Sequence, residues 1–137
     1  MKLDFEQIRF INALDEMTRA TAKDCFIHEG SIVFLVPSKH MRKAIGKNGV
    51  TIQKVKEKLG KPIELFEYYE NPEGFFEKAF YKASVEKVEI RKTNDRTIAF
   101  VKTKSDDKKI ILNNLRRLDK IKELAKRNYN IEEVRIR

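Results

Sequence analysis

The sequence predicts an α+β fold in which one six-element plan, helix–strand–strand–helix–helix–strand, is used twice, over residues 1–70 and 71–137. Three observations carry this. Apolar residues recur at helical spacing in some windows and form β-branched or alternating runs in others. The order of those windows is the same in both halves, and Asn71-Pro72-Glu73-Gly74 punctuates the chain between them. Each half is expected to form a three-stranded sheet with its helices packed on one face. At 41% hydrophobic residues, with five Gly and three Pro, there is material for a core and no compositional mark of disorder.

In the first half, Asp4 and Gln7 have the spacing of a capping box, and Phe5, Ile8, Ile11 and Leu14 continue it as a helix over about 4–19. Residues 24–28 and 31–36 flank Glu29-Gly30 as a hairpin closed by Pro37. Ser38 is placed to cap a short helix through Ala44. A second helix over 50–59 puts Ile52, Val55 and Leu59 on one face and ends at Gly60 and Pro62. Residues 63–69 then read as a third strand.

In the second half, Asn71 caps a helix with Pro72 in its first turn and an apolar stripe of Phe75, Phe76, Ala79, Phe80 and Ala83. Strands over 85–91 and 96–102 flank Thr93-Asn94-Asp95. A helix begins near Ser105 and Asp106, Leu118, Ile121, Leu124 and Ala125 mark a longer one over 116–127, and a strand covers 131–136. At a fixed offset of 66, Ile32, Val33, Phe34, Ile45 and Leu59 align with Ile98, Ala99, Phe100, Ile111 and Ala125, which argues for duplication.

No apolar run reaches the roughly 18 residues of a membrane span, and Asp4 and Glu6 stand where a signal peptide would be apolar, so a cytoplasmic protein is expected. The lone Cys25, with His28 and His40, has no zinc-ligand spacing, so no metal or other cofactor is expected. No nucleophile motif, Walker loop or carboxylate cluster suggests an enzyme or a small-molecule substrate. Thirty Lys and Arg against 21 Asp and Glu, net +9, point to a polyanionic partner; a lysine-rich solvated surface is the plain alternative.

That charge concentrates around Gly46-Lys47-Asn48-Gly49. From Ser38 to Lys61 there are eight basic residues and one acid, Glu57. Glycine at both ends of a helix–helix joint permits close backbone approach to a phosphate and exposes amides at the next helix start. Lys47 adds a cation, and Arg42, Lys43 and Lys54 extend the field. Ile45, Val50 and Ile52 are candidates for an apolar floor under bases, although Ile52 is also required by the core stripe. Phe66, Tyr68 and Tyr69 are candidates for stacking, against the commoner role of strand aromatics in packing.

The run Ile45-Gly46-Lys47-Asn48-Gly49-Val50-Thr51-Ile52, with a hairpin before it and a strand after it, resembles the KH fold of type II order, whose loop clamps about four nucleotides of single-stranded RNA. Two such domains in tandem, ending in Glu123-Leu124-Ala125-Lys126-Arg127 and Asn130-Ile131-Glu132-Glu133-Val134, resemble the archaeal NusA-like transcription factors. The resemblance implies binding of nascent transcripts in transcription termination or antitermination, with RNA polymerase or other transcription factors as further partners. The polymerase-binding and S1 domains of bacterial NusA have no counterpart in these residues, so polymerase contact is not carried over by motif.

The second half departs from the pattern, because Leu112-Asn113-Asn114-Leu115 stands where the glycines belong. Its contact with RNA is expected through Lys108, Lys109, Arg116, Arg117 and Lys120, or else that face braces the first domain and meets a protein. Competing readings of the whole chain are a ribosome-associated or RNA-processing KH adaptor and a protein-interaction scaffold.

Overall fold

The computed structural model describes residues 3–80 and 82–137; Met1, Lys2 and Tyr81 lie outside the described residues. Two compact units result, the first ending at Tyr68 and the second running from Tyr69 to Arg137.

In the first unit, helix α1 spans Phe5–Thr18 and starts with the reciprocal capping box, Gln7 N–H donating to Asp4 and Asp4 N–H to the Gln7 side chain, both at 2.8 Å. Strands β1 (Asp24–His28) and β2 (Ser31–Pro37) pair antiparallel. Their two-residue turn holds both Glu29 (φ 48°) and Gly30 (φ 83°) left-handed, the twist that suits a tight hairpin. A 3-10 turn at Ser38–His40 leads into α2 (Met41–Ile45), and α3 (Val50–Leu59) ends on Gly60 at φ 69°. Strand β3 (Ile63–Tyr68) returns parallel to β2, giving the order β1-β2-β3. Phe10, Leu14, Ile32, Phe34, Val36, Ala44 and Val55 form the core between helices and sheet.

Ser38 does not cap the helix as expected. It opens the 3-10 turn with no side-chain capping bond, and α2 starts three residues later behind His40, whose Nδ1 accepts from Thr21 N–H at 3.2 Å.

The second unit repeats the element order: α4 (Pro72–Ala79), β4 (Val85–Lys92), β5 (Thr97–Thr103), α5 (Lys108–Leu112), α6 (Leu115–Tyr129) and β6 (Glu133–Ile136), with sheet order β4-β5-β6. Asn71 caps α4 by accepting from Gly74 N–H at 2.7 Å, and Pro72 sits in its first turn. Phe80 and Ala83 lie beyond the helix but remain buried with Phe75, Phe76 and Ala79. Tyr129 Oη closes the unit by donating to the Tyr69 carbonyl at 2.6 Å. Helix α5 begins later than expected because Asp107 turns its carboxylate to Ser84 N–H, at 2.8 Å, instead of to the helix start.

The offset of 66 fails in the strands. In the first sheet Ile32, Phe34 and Val36 face the helices. In the second sheet, cross-strand partners place Val88, Ile90, Ala99, Val101 and Val134 together on the apolar face, while Phe100 pairs with Glu89 and Arg135 on the opposite one. Phe100 therefore occupies the face opposite to that of Phe34, and side-chain period two makes the matching offset 67. The second hairpin is also longer, with Lys92 paired to Thr97 where His28 pairs to Ser31.

Candidate nucleic-acid interface

Between α2 and α3 the backbone turns on three residues of positive φ: Gly46 (77°), Asn48 (56°) and Gly49 (75°). The two glycines are required for different reasons. A Cβ on Gly46 would collide with the Thr51 side chain and come within 2.8 Å of its backbone nitrogen. A Cβ on Gly49 would meet nothing within 4 Å, so there it is φ that demands glycine, and the space outside stays open. Gly46 N–H bonds back to the Arg42 carbonyl at 2.8 Å, and Gly49 N–H to the Gly46 carbonyl at 3.1 Å.

Helix α3 starts behind Gly49 with no side-chain cap and no acid in its first turn. Val50 N–H is taken by the Lys47 carbonyl, while the positive end of the helix dipole meets no side-chain cap and stands available to an anion from outside. Arg42, Lys43, Lys47, Asn48 and Lys54 are all exposed around this point. Ile45 (38% exposed) and Val50 (53%) flank the loop as uncovered apolar side chains, whereas Ile52 packs against the core. The expected clamp residues are thus brought together, with Ile52 structural.

The aromatic candidates are placed elsewhere. Phe66 and Tyr68 pair with Leu35 and Pro37, on the strand face opposite to the one that packs against the helices. Phe66 is buried, Lys23 Nζ lies 4.8 Å from the Tyr68 ring centroid, and the Tyr69 backbone is bonded to Tyr129. Phe66 and Tyr68 therefore do not face a base lying between the helices and β3.

At the second loop, Asn113 and Asn114 have negative φ, and Asn114 accepts from Arg117 N–H at 3.2 Å. The start of α6 is capped by its own chain where α3 is open. Lys108, Lys109 and Arg116 are exposed. Arg117 Nε donates to the Ala79 carbonyl at 2.9 Å, and Lys120 is buried at 6% exposure, so Lys120 does not belong to a surface patch. It precedes Leu124 by one turn and lies at the margin of the buried stripe, which sequence charge alone did not show.

A basic glycine turn between two short helices, laid over a three-stranded sheet, defines a KH domain, and residues 11–70 match the KH domain family. Over its whole length the chain fits the archaeal NusA-like KH proteins. It is 28% identical to the "Probable transcription termination protein NusA" of Halobacterium salinarum, covering 99% of this chain and 98% of that one. It is 26% identical to the protein of the same name from Methanococcus vannielii, covering 99% and 79%. The solved structure described as "Crystal structure of APE1850" superposes with a TM-score of 0.89 at 28% identity, covering 98% of this chain and 100% of that one. Among the described residues no helix is long and apolar enough to cross a membrane.

Proposed function

We propose that this chain binds single-stranded RNA through the Gly46–Gly49 loop and acts on nascent transcripts in termination or antitermination. The observation that carries the binding is the uncapped start of α3 behind Gly49, ringed by exposed Arg42, Lys43, Lys47 and Lys54. The names of its archaeal relatives supply the transcription role. Both units follow type II KH order in this reading: residues 1–70 hold the working clamp, and 71–137 form a second KH domain whose loop has lost it. Bases lie along Ile45 and Val50 while phosphate sits at the positive end of α3. The function is binding, with no reaction catalysed.

Fluorescence anisotropy with a short single-stranded RNA tests the clamp. The wild type is expected to bind with an affinity that falls with salt, the log–log slope being about −0.7 per neutralised phosphate. Lys47→Asp with Asn48→Asp should remove binding at unchanged melting temperature, because both side chains are exposed. Retained affinity in that variant would show the loop is not the site.

A further inference from the structure

We propose that the open face of the second sheet is a second RNA contact, holding the sugar–phosphate backbone over Lys87, Lys102 and Arg137. This rests on the RNA-binding reading above and adds a surface on the side of the second sheet away from its apolar, core-facing residues.

Strand alternation puts Val88, Ile90, Ala99, Val101 and Val134 on one face and Lys87, Glu89, Arg91, Ile98, Phe100, Lys102 and Arg135 on the other. Lys87 and Lys102 are direct cross-strand partners, next to an irregularity in register between Val85 and Lys87. Like charges directly opposite each other destabilise a strand pair, so nothing in the fold itself favours that placement. Arg137 joins them: a cleft of about 180 Å³ is lined by Lys87, Glu89, Phe100, Lys102 and Arg137. A neighbouring cleft of about 470 Å³ shares Lys102 and Arg137 and adds Lys108, with Glu86 as its one acid.

Two of the nearby carboxylates are already claimed by arginines, and a third, Glu86, lines the larger cleft without pairing to its cations. Glu89 takes Arg91 in a fork at 3.0 and 3.2 Å, and Glu133 takes Arg135 at 3.0 and 3.4 Å. Among the described residues, neither Lys87, Lys102 nor Arg137 has a carboxylate within ion-pair distance. Lys87, Lys102, Lys108 and Arg137 thus outnumber the carboxylates beside them, Glu86 and the already paired Glu89, and leave net positive charge for an outside anion.

The chemistry favours RNA over an acidic protein. Protein interfaces need exposed apolar anchors at their centre, and none of the exposed large hydrophobics among the described residues lies on this face. Phe100 is only 8% exposed, covered by the guanidiniums of Arg137, Arg91 and Arg135 at 4.2, 4.8 and 5.7 Å from its ring centroid. Flat guanidinium planes held on a ring offer stacking surfaces for bases beside cations for phosphates.

The test compares the full chain with a Lys87→Gln, Lys102→Gln, Arg137→Gln variant on two single-stranded RNAs, one of about five nucleotides that fills only the loop and one about four times longer. The expected result is unchanged affinity for the short RNA, at least tenfold weaker binding of the long one, and a salt slope shallower by about 2 for the long one, at roughly 0.7 per lost contact. Lys87→Arg with Lys102→Arg keeps the charge and should bind the long RNA as wild type does, which separates charge from folding. Equal long-RNA affinity and slope in the Gln variant, or equal losses on both lengths, would overturn the proposal while leaving the loop assignment standing. Failure of the wild type to bind either RNA would remove both.

Discussion

Gly46 is packed so closely on Thr51 that no side chain fits between them. The loop is thus a closed backbone turn on one side and open on the other, because Gly49, three residues on, faces empty space. Gly46→Ala adds an overpacking cost to a backbone conformation (φ 77°, ψ 172°) that is essentially restricted to glycine. A loss of about 2–4 kcal/mol is expected from chemical denaturation. Gly49→Ala, strained in φ alone, should cost about 1–2 kcal/mol. Equal costs at the two positions would mean Thr51 yields.

The opposite faces occupied by Phe34 and Phe100 give a second test. Phe34 is fully buried in the helix–sheet core, and Phe34→Ala should cost about 3–5 kcal/mol. Phe100→Ala should cost well under half of that, since much of what it loses is ring–guanidinium contact worth about 0.5–1 kcal/mol each at exposed sites. Denaturation midpoints of the two variants rank them directly; a larger loss at Phe100 would contradict the assignment of faces.

Asn114 accepts from Arg117 N–H at the start of α6. Asn114→Ala is expected to lower stability by about 1 kcal/mol. The same change at Asn48, whose side chain caps nothing in α3, should act only through its left-handed φ of 56°.

Hydrogen bonds from Arg91 and from Arg135 hold the Glu89 and Glu133 carboxyls below their ordinary value of 4.5, the nearby cations adding to the effect. A carboxyl lowered in the folded state contributes stability above its unfolded pKa, and that contribution disappears as pH falls through the folded value. The sensitivity thus lies on the acid side of 4.5. Carboxyl titration by NMR should show Glu89 moving up in Arg91→Ala; an unmoved Glu89 would discount the fork.

Local signals were legible where a residue acts on its own neighbours. Asp4 with Gln7, Asn71 with Pro72, and Val50 to Leu59 ending at Gly60 specify their helices by bonds and φ values within a turn. Ser38, the helix start near Ser105 and Asp106, and Lys120 depart from the expectation because the deciding partners or burial come from elsewhere in the chain: His40 ties the turn after Ser38 to Thr21, Asp107 reaches Ser84, and Lys120 is covered. The strand offset failed for a related reason. Apolar residues occupy successive positions in 32–36 and 98–101, so a slip of one still matches type for type while exchanging faces. The glycine loop was legible as a pattern, but the open helix start behind it and the capped one in its counterpart needed backbone geometry.

Strand β3 lies parallel to β2, so the chain must leave the sheet at Pro37, run through residues 38–62 and return before the third strand can dock. The entropy of closing such an excursion grows only with the logarithm of its length, each doubling adding about 0.6 kcal/mol. The nucleotide-facing turn sits in the middle of that detour. Its exposed side chains, Lys47 and Asn48, take no part in the strand pairing, so apart from the two glycines a chain built this way can change what it grips, or cease to grip, and keep its architecture.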